Sequence, residues 1–432
     1  MVVVDAGSLI WKNANVREGE LPERRLKAQL ILDAYRLSGV DALTPGPADL
    51  ALGVDFYRQA TADLPVLAGN LSCSGQGWPL TRTVEVGGHR IGLIGVVDEV
   101  PEGCALTQPA VEAARQGVQE LGQVDVVVLL SQSRVATDGQ IAEAVDGLDF
   151  IVNGHDRQTW KNPRGYDHGS FGLGAGSRGK KVGVLELRLK PGLSGWQDSS
   201  AGEELAAQLE RMRSRVADVR ADLDEAEDDK TRERLDKRAE YYQAEVDRLQ
   251  AELDLATSSD GAQHNAFSNH LVDLDDGFAG HEALDLLVYQ AKDRLSQLDP
   301  EQFEAAELAG PWVGTQQCRG CHLEQFEQWQ GTDHAKAYAT LVEARRHMDS
   351  DCFSCHVTGA GKPGGPSSPQ QVGVFKDVGC ESCHGPGQAH IDQPVAATIL
   401  GKPGESICKD CHDGDQDGGR FELPAYLPRV LH

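Results

Sequence analysis

Short apolar runs punctuate the first 192 positions. They fall at residues 2–5, 91–97, 124–130, 150–152 and 182–189, each bounded by Gly, Pro or polar residues. Runs of this length and flanking predict buried β-strands. Between them, residues 22–37 and Ala110–Leu121 carry apolar side chains at three- and four-residue spacing, which predicts helices. Strands alternating with helices predict an α/β domain over residues 1–192.

The period changes after a Gly/Pro/Ser-rich joint at residues 191–202. Leu205, Leu209, Met212, Val216, Val219 and Leu223 form one apolar seam, and Leu235, Ala239, Tyr242, Val246, Leu249 and Leu253 form a second. The two are out of phase across the charged stretch 225–233. This predicts an antiparallel coiled-coil hairpin over 203–256, with one long stuttered helix as the alternative. Residues 257–310 read as a connector containing one helix at 281–298 and a turn at Ser258-Ser259-Asp260-Gly261. From residue 311 to 432, Gly, Pro and Cys rise and long apolar runs vanish, so a mostly helical or irregular segment with little side-chain core is expected.

That last segment repeats one pattern four times: Cys318-Arg-Gly-Cys321-His322, Cys352-Phe-Ser-Cys355-His356, Cys380-Glu-Ser-Cys383-His384 and Cys408-Lys-Asp-Cys411-His412. Two thiols three apart with a histidine next to the second form the attachment site of a c-type haem. The thiols add to the haem vinyl groups and the imidazole reaches the iron. The expectation is four covalently bound haem c groups with His322, His356, His384 and His412 as proximal ligands. The competing reading is a pair of zinc sites, which would not require a histidine after every cysteine pair. Porphyrin discs would also supply the missing apolar core.

Charge narrows the partners. The 432 residues hold 41 basic and 67 acidic side chains, a formal net charge of −26. This argues against nucleic acid and anionic membrane surfaces. Within residues 311–432, 10 basic residues face 15 acidic ones, so basic redox partners, other cytochromes or quinol-linked donors, are expected. No apolar run reaches the length of a membrane span. Haem attachment implies an oxidising compartment, so the expected location is the periplasm or cell surface, with an export signal upstream of Met1. Cys73 and Cys104 either pair or remain two buried thiols.

The succession Val4-Asp5-Ala6-Gly7-Ser8, Leu43-Thr44-Pro45-Gly46-Pro47-Ala48-Asp49, Ala68-Gly69-Asn70, Leu130-Ser131-Gln132-Ser133 and Asn153-Gly154-His155-Asp156 resembles the metallophosphoesterase fold of the 5′-nucleotidase type. The resemblance implies a β-sandwich flanked by helices and, in active members, two metal ions at the strand ends. The ligand set is eroded. The opening Asp-x-His strand is absent, Ser8 replaces the bridging aspartate, and Gly46-Pro47-Ala48-Asp49 replaces Gly-Asn-His-Glu. Gln132 and Arg157 stand where histidines belong. Asp5 and His155 alone do not make a dinuclear site, so a scaffold without metals is expected. His264, His270 and His281 lie outside any ligand pattern.

The last segment resembles the tetrahaem cytochrome c-554 family. The resemblance rests on the first motif followed by Trp329-Gln-Gly-Thr332-Asp-His334-Ala335, the second followed by Val357-Thr358-Gly359, and Val378-Gly379-Cys380-Glu381-Ser382-Cys383-His384-Gly385-Pro386-Gly387 with His390 shortly after. It implies His334 as distal ligand of the fourth haem and His390 of the first. It also implies an open sixth position on the second haem. The family's distal histidine for the third haem has no counterpart in Gly404-Glu-Ser-Ile407, and His432 is a substitute. His347 and its neighbour Met348 stay unassigned.

Three functions follow as expectations. The first is an exported tetrahaem electron carrier. The second is a haem oxidoreductase acting on a small nitrogen or sulfur species at a five-coordinate haem. The third is an active phosphohydrolase fused to a cytochrome.

Overall fold

The computed structural model describes all residues except 12–15, 17–19, 225, 227, 258–263, 276, 300–307, 309, 415, 416 and 418. The turn expected at 258–261 and two positions of the 225–233 stretch lie outside the described residues. The chain separates into two compact units. One comprises Met1–Ala14, Ser38–Leu50 and Thr61–Ala279, and the other Asn15–Leu37, Ala51–Ala60 and Gly280–His432.

The first unit is built on a six-stranded sheet in the order Arg164–Gly165, Phe171–Leu173, Phe150–Asn153, Val126–Gln132, His89–Val97, Thr81–Val86. Its four central strands run parallel, with an antiparallel strand at each edge. Successive strand residues point to opposite faces, so an unbroken apolar run feeds two cores. Ile94, Val96, Val127 and Leu129 pack with the Ala110–Leu121 and Val135–Ala144 helices. Ile91, Leu93, Val128, Leu130 and Phe150 face the other way, onto Trp196, Phe267, Leu185 and Leu187. These last residues belong to a second sheet, ordered Lys181–Arg188, Asn265–Asp273, Trp196–Asp198. The result is a mixed α/β unit of two facing sheets with helices outside.

Asn265–Asp273 falls within the expected connector, and the structure makes it the middle strand of that second sheet. Its segment Asn-Ala-Phe-Ser-Asn-His-Leu-Val-Asp is too polar to announce a buried strand. Pairing along both of its edges satisfies its backbone and outweighs that local bias. Cys73 and Cys104 are cross-strand partners and form a disulfide.

The Ser200–Asp224 and Asp229–Thr257 helices pack against each other through Leu205, Leu209, Met212, Val216, Tyr242, Val246, Leu249 and Leu253. Arg213 donates to Gln250 and Arg220 to Gln243, so the two helices run antiparallel.

The second unit has short helices and 3₁₀ turns around a small apolar cluster of Leu341, Phe353, Val357, Ala360, Val372 and Phe375. The Leu21–Ser38 helix contributes to a second cluster, in which Leu26 meets Leu295, Leu298 and Met348. Among the described residues, no helix is long and apolar enough to cross a membrane.

Candidate haem centres

The Cys-x-x-Cys-His patterns lie on short helical turns: Cys318 on Thr315–Gly320 with His322 opening Leu323–Gln330, the second on Ser350–Cys352 and Phe353–His356, the third wholly within Cys380–His384, and Cys408 on Glu405–Lys409 with His412 just beyond. A turn of helix is the conformation that puts both thiols and the following imidazole on one side. The third motif is the most firmly built. Glu381, between its cysteines, is 2% exposed and accepts from the backbone N–H groups of Val313, Gly314 and Gly387. Thr358 Oγ1 accepts from Gly379 N, and Thr315 Oγ1 from Cys380 N. A Cβ on Gly379 would stand 1.8 Å from Thr315 Oγ1, so only glycine fits there. Trp329 Nε1 donates to Val378 O.

Three histidine pairs face each other. The ring centroids of His322 and His390 are 6.2 Å apart, those of His334 and His412 6.2 Å, and those of His384 and His432 5.6 Å. An iron with metal–nitrogen bonds of ~2 Å on each side separates two imidazole centroids by about 6 Å. The paired side chains therefore fit a six-coordinate haem between them. The second ring nitrogens are engaged as well. His384 Nδ1 lies 2.6 Å from Leu400 O, and His356 Nδ1 2.6 Å from Ala337 O. His390 Nδ1 meets Val395 O at 3.2 Å and Thr398 Oγ1 at 3.1 Å. A carbonyl beside Nδ1 requires the proton there, which leaves the Nε2 lone pair for a metal. Burial, and then the neighbouring His412, hold His334 below its ordinary pKa.

His356 differs. Among the described residues no histidine ring pairs with it. Met348 packs into the Leu26, Leu295 and Leu298 cluster, and His347 Nδ1 is buried with no hydrogen-bond partner among the described residues.

The motifs are close to one another. Cys318 lies beside Cys380, Cys411 beside Cys355, and Cys383 within electrostatic reach of Cys408. Apolar side chains stand exposed around these sites, among them Val374, Ile391, Val395, Leu400 and Leu431. Exposed apolar surface beside paired imidazoles is what a porphyrin would cover.

The sequence reading did not single out Glu23, Arg24 and Lys27. All three lie on the Leu21–Ser38 helix of the same unit. Lys27 Nζ is 2.5 Å from Asp349, 2.8 Å from Asp351 and 2.7 Å from Glu23. Nothing local marks them, because the contact depends on packing across more than three hundred residues of chain.

The first unit holds the eroded phosphoesterase motifs, and their side chains are turned inward. Asp49 is buried and accepts from Ser8 N, Ile10 N and Gly46 N. Gln132 is fully buried, donates to Ala6 O at 2.6 Å and fills the space between Gly7, Gly46 and Gly154. Asn70 brackets the backbone of Val97. His155 lies 3.7 Å from Glu99 at the rim. Among the described residues, three or more potential metal ligands converge only at Glu23, Asp349 and Asp351, which lie in the other unit around the Lys27 ammonium. The residues of the first unit do not fit a dinuclear metal centre.

Known proteins resemble the two parts of the chain separately. Solved structures similar to the chain include the sulfate thiohydrolase SoxB of Thermus thermophilus, at a TM-score of 0.37 and 22% identity over 44% of this chain and 36% of that one. They also include a 5′-nucleotidase precursor from Thermus thermophilus, at 0.37 and 21% over 44% and 42%, and the NAD nucleotidase of Haemophilus influenzae, at 0.36 and 18% over 44% and 38%. Cytochrome c-554 of Nitrosomonas europaea is 38% identical over 70 residues, which span 13% of this chain and 30% of that relative. Residues 317–385 match the family described as cytochrome c554 and c-prime, a stretch that contains the first three motifs. The C-terminal region of the chain thus carries a cytochrome c554 family domain, which implies covalently bound c-type haem.

Proposed function

We propose that this protein is an exported tetrahaem c-type cytochrome that carries electrons between redox partners. One observation carries the reading: three pairs of imidazoles, His322/His390, His384/His432 and His334/His412, face each other at 5.6–6.2 Å. In this reading His322, His356, His384 and His412 bind four irons from one side, each held through its Cys-x-x-Cys pair. His390, His432 and His334 bind the first, third and fourth from the other. Bound haem would supply a one-electron iron couple. Two imidazoles per iron saturate it and favour electron transfer over ligand binding. The cysteine contacts support an order in which the first and third sites are neighbours, as are the second and fourth, with the third and fourth joining the pairs.

The residues outside the haem segment serve as framework in this proposal. Residues 1–192 form the phosphoesterase-like scaffold, 203–256 the coiled-coil arm, and 257–310 the connector to the cytochrome domain at 311–432. The acidic balance favours basic partners, cytochromes or quinol-linked donors, in the periplasm or at the cell surface.

The test is mass spectrometry with electron paramagnetic resonance on the exported protein. Four added haems, three of them low-spin, are expected. Fewer than four attached haems, or four high-spin irons, would overturn the proposal.

His356 favours a second reading. No ring faces it among the described residues, so the second haem would keep an open side where a small nitrogen or sulfur species could react. CO or NO binding to one reduced haem, and only one, is the expected sign of that site.

A further inference from the structure

The turn that begins the second haem motif is held by side chains from a distant helix. Lys27 sits among Glu23, Asp349 and Asp351, and Arg24 bonds Asp351 at 2.6 Å and Ser350 Oγ at 3.0 Å. Arg346 closes the group on Asp349 at 2.7 Å. With Glu20 3.5 Å from Arg24, four carboxylates thus meet three cations. One side of the group is withdrawn from water: Glu23 is 0% exposed, the Asp349 side chain 2% and the Arg24 side chain 6%, while Lys27, Asp351 and Arg346 reach towards solvent. The backbone joins in. Ser350 N donates to Glu23, and Asp351 N to Asp349, which caps the Ser350–Cys352 turn. Cys352 is the first attachment cysteine of that motif.

We propose that Glu23, Arg24 and Lys27 are positioning residues for the second haem: they fix the approach to Cys352 and set the iron's potential by the charge they place beside it. This rests on the reading that Cys352 and Cys355 carry a haem. The argument is electrostatic. Reduction adds one electron to the iron, and a nearby cation favours that step whereas a nearby carboxylate opposes it. On the buried side, at Glu23, Asp349 and Arg24, screening by water and salt is weakened, so removing one charge is felt locally. No other haem motif among the described residues is bordered by such a network, so the effect belongs to one haem of four. The Lys27 ammonium stands where Glu23, Asp349 and Asp351 would otherwise gather a metal ion, so the group completes itself without one.

The experiment is a spectroelectrochemical titration of the full haem-loaded chain. It follows the high-spin, CO-binding signal of the second haem beside the low-spin signals of the others. Lys27→Met should move the second haem's potential negative, Glu23→Gln should move it positive, and Lys27→Arg should leave it near the wild type. The three low-spin haems should stay in place. Shifts of the same sign in the first two variants, equal shifts in all four haems, or no shift would overturn the proposal. If Lys27→Met fails to accumulate, Glu23→Gln and Lys27→Arg decide it. Mass spectrometry of the Cys352–Cys355 peptide separates this from failure of the haem reading itself, since an unmodified wild-type peptide would mean no haem at that site.

Discussion

The rings of His384 and His432 stand 5.6 Å apart and are inclined at 48°. His384 follows the third cysteine pair, and His432 comes from the far end of the segment, where Gln328 Nε2 also donates to Leu431 O. Replacing His432 with alanine should turn one low-spin haem high-spin and create a second CO-binding site, with four haems still attached. Electron paramagnetic resonance and CO difference spectra would show it. An unchanged low-spin count would remove His432 from the ligand set.

Glu381 supports three backbone N–H groups at once. The Glu381→Gln variant loses a charged acceptor and leaves at least one of these N–H groups poorly matched. A loss of about 1–3 kcal/mol is expected from one unsatisfied buried group. Chemical denaturation of the haem-loaded protein, read in the haem absorbance, measures it.

The eroded phosphoesterase motifs should stay inert. With Mn²⁺ or Zn²⁺ added, neither the wild type nor Gln132→His is expected to hydrolyse nucleotides or simple phosphate esters, because Asp49 and Asn70 are committed to backbone hydrogen bonds. Turnover that disappears in His155→Ala would contradict this.

The two units should respond to pH in opposite directions. Burial pushes Asp138 up to about 7, against hydrogen bonds from Ser131 and Asn153. A carboxyl raised in the folded state contributes stability below its unfolded value of 3.8, and that stability fades as the pH climbs towards 7. Asp138→Asn should flatten this slope. Burial opposes ionisation of Asp351, but Lys27 and Arg24 outweigh it and hold the group well below its ordinary value. Its contribution is present above 3.8 and is lost on acidification below that value. Unfolding monitored separately in each unit across this range tests both signs.

Leu209 is 2% exposed in the interface between the two long helices. Leu209→Ala should cost ~2–4 kcal/mol if the helices unfold with the rest of the unit. A smaller loss, confined to helical circular dichroism, would mean that the arm melts on its own.

Much of the first unit was legible because its central strands are buried on both faces, whereas the strand expected at 182–189 lies partly exposed. The apolar run at 91–97 lies within the His89–Val97 strand, and Ala110–Leu121 is a helix over the expected residues. Asn265–Asp273 was not legible, since its polar composition carries no period and only its neighbours give it a role. The unit boundary was equally hidden: the Leu21–Ser38 helix interrupts the first unit in sequence, and most of it belongs with the cytochrome segment in space.

The four Cys-x-x-Cys-His patterns are local, so the sequence alone determined the proposed attachment sites: covalent chemistry needs only five adjacent residues to reach one group. Which imidazole faces which is not local. His334 precedes its partner's motif, His390 follows its own partner's, and His432 lies beyond them all, so only the folded chain brings them opposite His412, His322 and His384. The same holds for Lys27 and Asp349. Their attraction depends on distance and dielectric, and both are set by tertiary packing rather than by neighbours in the chain.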